Sequence, residues 1–136
     1  VRRLAERIGL SATPCLQRVR RLEGEGLIRG YGARIDEVQA GYPLRVFVYV
    51  RLQRQVKPLL DEFEARVRLF EEITDCYLMA GEHDYVLRVV VPDLEAFNRF
   101  VNEKLSTIEG IASTQSSFVL REVFHRTFPL RAPETG

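Results

Sequence analysis

Apolar residues near the start of the chain recur three and four apart. Val1, Leu4, Ala5 and Ile8 share one face and predict a helix over about residues 1–8, which Gly9 ends. A second helix begins at Ser11 or Thr13, either of which can cap it. Pro14 is harmless in a first turn whose amides have no intrahelical acceptor. Its apolar stripe is Cys15, Leu16, Val19 and Leu22, and it runs to about Glu25, with Gly26 ending it. Leu27 to Ile35 reads as two short strands about Gly30 and Gly32, and the polar stretch 36–43 as a linker.

Beyond the linker the period alternates between two and 3.6. Leu44 to Leu52 predicts a strand, and Pro58 to Phe70 a helix that turns Leu59, Leu60, Phe63, Val67 and Phe70 to one side. Strands follow at Ile73 to Ala80 and Asp84 to Val91. A helix from about Asp93 to Ile108 carries Leu94, Phe97, Val101, Leu105 and Ile108 inward, and a last strand spans about Ile111 to Phe124. The order is βαββαβ, two split βαβ units. Two helices cover one face of four strands and leave the other bare. Phe47, Tyr49, Cys76, Leu78, Val86, Phe118 and Leu120 include residues too apolar for two exposed faces, so a second subunit is the expected lid and this domain is expected to dimerise.

Composition sharpens the division. The chain of 136 residues is 46% hydrophobic, enough to bury a core, and its net charge of +1 hides an asymmetry. Residues 1–35 hold eight arginines against three glutamates, whereas the remainder is net acidic. A basic front end on a neutral-to-acidic body points to nucleic acid as the partner of the first unit alone. No apolar run is long enough for a bilayer, and no cleavable leader pattern opens the chain, so no membrane partner is expected and a bacterial cytoplasm is the expected compartment. Cys15 and Cys76 fall in separate units and are expected to be reduced thiols. The chain starts at Val1 inside a helical pattern, so further residues are expected before it.

With Val19 set inward on a 3.6-residue helix, Cys15, Leu16 and Leu22 fall within about 60° of it, and Gln17 and Arg21 lie nearly opposite. Thr13 and Pro14 join that outer face near the N-terminus, with Ser11 just before them, while Arg18 and Arg20 flank it. A DNA recognition helix needs this combination: a narrow inner stripe, short polar residues at the entering end, and arginines that reach base edges and phosphates. Gln17 has the donor and acceptor pair for adenine, and Arg21 or Arg18 for guanine. Arg2, Arg3, Arg20, Arg29 and Arg34 suit phosphates.

Two stretches then resemble the Lrp/AsnC (leucine-responsive, or feast/famine) transcriptional regulators. One is Gly9-Leu10-Ser11, Arg18-Val19, Leu22-Glu23, Gly26, Ile28, Gly30 and Tyr31. The other is Cys76-Tyr77-Leu78-Met79-Ala80-Gly81-Glu82-His83-Asp84-Tyr85. The resemblance covers nearly the whole chain. It implies an α+β protein: an N-terminal winged helix-turn-helix lacking its first helix here (residues 1–35), a linker (36–43), a C-terminal ferredoxin-like domain that binds effector and oligomerises (44–128), and a tail (129–136). It further implies promoter DNA as partner, a homodimer assembling further, commonly to an octamer, and an amino-acid effector between subunits.

Within that frame Gly81 and Asp84 match the loop that borders the effector pocket, with Leu78, Met79, Glu82 and His83 as neighbours. A glycine lets backbone approach a ligand, and a carboxylate answers an ammonium group. Thr114, Gln115, Ser116 and Ser117 on the last strand offer hydroxyls and an amide to an amino-acid carboxylate. A plain hairpin turn and a solvated strand edge account for both features equally well.

Chemistry of other kinds finds little purchase. His83, Asp84, Cys76 and His125 match no ligand spacing, no nucleophile adjoins an obvious base, and the glycines form neither GxGxxG nor a P-loop. No enzyme, cofactor or metal is expected. Two rivals remain: an architectural DNA-binding protein indifferent to effectors, and a haem-biosynthesis decarboxylase on the same fold. The basic helix argues against the second.

Overall fold

A computed structural model describes residues 12–127. The predicted first helix, Ser11 and everything from residue 128 onward lie outside them. The chain divides after Ile35 into two compact units.

In the first unit, helix α1 spans Ala12–Gly24. Gly26, at φ +79°, turns the chain at its C-terminus. Its amide donates to Glu23 O at 3.1 Å, and the Leu27 amide reaches back to Leu22 O at 2.9 Å, closing the helix in a Schellman motif. This replaces the two short strands expected over 27–35. The amides of Leu27 and Ile28 are spent on the carbonyl of Leu22, and no strand forms there among the described residues.

The second unit opens on a turn, not a free linker. Ala40 N–H donates to Asp36 O and Gln39 N–H to Asp36 Oδ1, and Glu37 forms a two-pronged ion pair with Arg88 at 2.6 and 2.9 Å. There follow β1 (Leu44–Leu52), α2 (Lys57–Val67), β2 (Ile73–Leu78), β3 (Tyr85–Val91), α3 (Leu94–Glu103), a 3-10 turn (Leu105–Thr107) and β4 (Ile111–Phe118). The sheet order is β2-β3-β1-β4, with all neighbours antiparallel, as two interlocked βαβ units require.

Local chemistry sets the helix starts. Pro58 stands in the first turn of α2 without any side-chain cap, whereas Asp93 caps α3 by accepting from Ala96 N–H at 2.8 Å. Alternation along β1 and β3 sends Val46, Val48, Val50, Leu52, Tyr85, Leu87, Val89 and Val91 under the helices. There they meet Phe63, Val67, Phe97, Phe100, Leu105 and Ile108. Gly110, at φ +92°, needs to be glycine twice over: a Cβ there would lie 2.7 Å from Leu59 Cδ1.

Four expectations change here. The long third helix breaks at Lys104 into the 3-10 turn, and Leu94 is 57% exposed because the helix starts at Leu94 itself. β4 ends at Phe118, not at residue 124. Val46 pairs with Phe118 and Arg45 O accepts from Val119 N–H, so β1 has run out of partners, and Leu120 beyond it is 96% exposed. Cys76, Leu78 and Phe118 belong to the helix-covered side, because they pair with Leu87, Tyr85 and Val46 respectively. A register shift at Thr74 sets that phase in β2. The bare face is therefore Phe47, Tyr49 and Val86 as expected, joined by Tyr77, Arg88, Arg45 and Gln115.

Candidate nucleic-acid interface and effector region

Helix α1 carries two unlike faces. Cys15 and Val19 are buried with Ile28 packed against them, and Leu16 and Leu22 are half-buried. Pro14, Gln17, Arg18, Arg20 and Arg21 are all exposed, on the sides the helical wheel assigns them. The side chain of Thr13 lies outside the description, as do Arg2 and Arg3; Arg29 and Arg34 are exposed.

Among the described residues, charge on this surface is nearly uncompensated. Arg21 Nε stands 3.6 Å from Glu25 Oε1, both well exposed, an arrangement worth little in water. Glu23 is engaged elsewhere: its carboxylate accepts from the Tyr31 hydroxyl, and that hydrogen bond raises the phenol above its usual range. The first turn of α1 holds no acid, so the positive end of the helix dipole and the arginines act in the same sense.

The expected effector loop is ordered by contacts the sequence did not announce. Asp84 Oδ2 accepts from Leu52 N–H at 2.7 Å and from Gln55 Nε2 at 3.1 Å, so this carboxylate secures the end of β1. Arg51 donates through Nε and Nη2 to Glu82 O at 3.1 and 2.8 Å, and Met79 N–H to Asp84 O at 2.8 Å. His83 lies against Tyr49 with ring centroids 5.4 Å apart. Gly81 sits at φ +153° with open space around it, and Leu78, Met79 and Glu82 are exposed.

Thr114, Gln115 and Ser116 are exposed on the edge strand β4, paired with Val50, Tyr49 and Val48. Thr114 and Ser116 face the helix side and Gln115 the bare side. Since β1 lies between β4 and β3, the hydroxyl row stands two strand spacings, about 10 Å, from the start of β3 where the loop ends. One subunit does not bring the two halves of the expected pocket together.

Among the described residues no three of His, Cys, Asp and Glu gather as a metal site, and Cys15 and Cys76 are both free thiols, the first buried and the second exposed. Pairing registers could have found Arg51 and Gln55 as loop holders, since Val50 opposite Tyr85 puts the end of β1 beside Asp84. The ion pair of Glu37 with Arg88 leaves no sequence signal, being 51 residues apart.

Comparison with known proteins agrees with both units. Residues 1–29 match a winged helix-turn-helix DNA-binding model, and residues 45–128 match the Lrp/AsnC ligand binding domain. The chain is 44% identical over 128 residues to the Bkd operon transcriptional regulator of Pseudomonas aeruginosa, covering 94% of this chain and 84% of that one. It is 40% identical over 120 residues to the leucine-responsive regulatory protein of Escherichia coli, covering 88% and 73%. A Neisseria meningitidis transcriptional regulator in complex with L-methionine superposes with TM-score 0.84 at 38% identity, covering 93% of this chain and 82% of that one. The feast or famine regulatory protein of M. tuberculosis, also complexed with L-methionine, gives TM-score 0.80 at 33% identity over 95% and 85%. A helix-turn-helix match at the front and a ligand-domain match over most of the remainder place this chain in the Lrp/AsnC family of transcriptional regulators.

Proposed function

We propose that the chain binds promoter DNA through the outer face of α1 and that an amino acid alters this binding. The single observation that carries the first half is the exposed row of Gln17, Arg18, Arg20 and Arg21, balanced among the described residues only by the exposed Glu25 beside Arg21, on a helix whose opposite side is buried. Gln17 and either Arg21 or Arg18 read base edges, and Arg20 and the arginines outside the helix hold phosphates. Ser11, Thr13 and Pro14 stand at the end that enters the groove. The relatives solved with L-methionine support the second half.

A second copy covers the bare face of the sheet. Phe47, Tyr49, Tyr77 and Val86 give it apolar area, and a dimer formed there supplies two copies of α1 to one duplex. Further assembly toward an octamer lets an amino acid act by favouring one arrangement of dimers over another. Differential binding of about 1 to 3 kcal/mol changes DNA affinity about 5- to 150-fold. Work on promoters puts the protein in the cytoplasm, and no step of this scheme calls for catalysis or a cofactor.

Fluorescence anisotropy on a promoter fragment tests the reading. Arg21→Ala weakens binding about 5- to 150-fold with the oligomer unchanged by light scattering. An unaltered affinity would remove the helix assignment. DNA binding that ignores all twenty amino acids would favour the architectural alternative.

A further inference from the structure

The turn that opens the second unit is fastened to the sheet by one pair of side chains. Within the turn, Ala40 N–H donates to Asp36 O, Gln39 N–H to Asp36 Oδ1, and Tyr42 N–H to Glu37 O at 2.7 Å. Gly41, at φ +94°, lets the chain leave toward β1. Those bonds fold residues 36–42 onto themselves. Among the described residues, the hydrogen bonds that join the turn to the sheet are the two from Arg88 to Glu37, Nη1 to Oε2 at 2.9 Å and Nη2 to Oε1 at 2.6 Å. The two side chains are 24% and 26% exposed, against 72% and 60% for Arg21 and Glu25, so water screens this forked pair far less.

Strand β2 holds the fork in place. The register shift leaves Thr74 without an opposite residue on β3, and a bulge of this kind re-aims a side chain. The Thr74 hydroxyl accepts from Arg88 Nη1 at 3.0 Å and donates to Asp75 Oδ1 at 2.7 Å, while the Tyr77 hydroxyl donates to Asp75 Oδ2 at 3.2 Å. A run of hydrogen bonds thus ties Glu37, on the turn, to three residues of an edge strand. The hydrogen bond to Glu37 raises the Arg88 guanidinium above its usual range, and the charges of Asp75 and Glu122 add to that.

The turn is also where the tether of α1 ends. In the first unit Tyr31 is held by its hydrogen bond to Glu23, and after it Gly32, Ala33, Arg34 and Ile35 are exposed and belong to no helix or strand. A chain extended from Tyr31 to Glu37 reaches at most about 21 Å. Freed from Arg88, the loose segment runs on to Leu44, where β1 begins, and reaches about 45 Å. A short tether concentrates a second binding module near some sites and denies it others. We propose that Glu37 and Arg88 are positioning residues for DNA recognition: by fastening the turn to the sheet they shorten the tether of α1 and so limit which half-site spacings a dimer engages with both copies. The pair lies wholly within the second unit and touches no DNA. This rests on the DNA reading and the dimer put forward above.

The test is fluorescence anisotropy of the full chain on two sets of duplexes. One set carries a single copy of the best-bound sequence selected from random DNA. The other carries two copies, with their separation stepped one base pair at a time through a helical turn of about 10.5 base pairs. Wild-type affinity for the paired sites is expected to vary at least about tenfold across the turn, and Glu37→Ala to flatten that variation to about threefold or less. Affinity for the single site should stay within about twofold, with the oligomer unchanged by light scattering. Arg88→Met should flatten the profile equally, and the double variant no further than either alone, since all three break one link. Glu72→Ala breaks the ion pair with Lys104 elsewhere in the same unit and is expected to keep the wild-type profile.

A Glu37→Ala chain that still varies tenfold, or a wild-type chain that does not vary, overturns the clamp and leaves DNA binding standing. Equal flattening by Glu72→Ala also overturns it, because the effect would then be a general loss of stability. So does a changed oligomer in Glu37→Ala, which would put the pair in the subunit contact. Failure of the wild type to bind even the single-site duplex overturns the DNA reading itself.

Discussion

The outer face of α1 and the interior of the sheet unit handle charge in opposite ways. On α1, Arg18, Arg20 and Arg21 project into solvent, and among the described residues the only acid paired with them is an exposed Glu25, 3.6 Å from Arg21. In the sheet unit several ionised groups are spent internally: Asp84 on Leu52 and Gln55, Glu37 on Arg88, and Glu72 on Lys104 at 2.8 Å. A charge that already has a partner holds the fold and gives little to a visitor. Where counter-charges are missing, solvent and counterions are all that a polyanion must displace. Removing a charge should therefore cost stability in one region and DNA affinity in the other.

The largest effect is expected at a position that bears no charge at all, which sets the scale for the rest. Gly110→Ala forces a side chain into φ +92° and against Leu59, so a loss of about 3 kcal/mol is expected in urea unfolding of the sheet unit. DNA contacts should feel it only through the folded fraction. A variant as stable as wild type would mean that the Leu59 side chain swings away without cost.

Next comes Asp84→Ala. It leaves the Leu52 amide without its acceptor, and about 2 kcal/mol should disappear from the same unfolding curve, with the salt dependence of DNA binding untouched. Unchanged stability would show that this carboxylate is free for a ligand after all, and the contrast between the two regions would fail at its best example.

The smallest effect sharpens the other side. Glu25→Gln removes the acid beside Arg21, and stability should move by less than about 0.5 kcal/mol while DNA affinity rises a few-fold. A fall in affinity would mean that Glu25 positions Arg21 for the groove.

Much of this was legible in the sequence, and the reason is periodicity. β1 at Leu44–Leu52 falls where alternation places it, and the stripe Cys15, Val19, Leu22 already implies which side of α1 is bare. Periodicity says which face a residue takes only while the phase is kept. The register shift at Thr74 moved Cys76 and Leu78 to the covered side, and no pattern in ITDCYL announces it. Likewise Gly30 and Gly32 read as strand breaks, yet the decisive event was the Leu22 carbonyl capturing two amides. Asp84 was legible as a carboxylate in a loop expected to border an effector, but not as one already engaged, because its partners lie 29 and 32 residues away.

The central claim is electrostatic, and the salt dependence of binding tests it most directly. If the exposed Arg20, Arg29 and Arg34 from each of two copies neutralise phosphates, log K against log salt should fall with a slope of about −5, a loss of about a thousandfold between 50 and 200 mM. Binding to duplex DNA that does not weaken as salt rises, or no binding at 50 mM, would contradict the assignment of this surface to DNA.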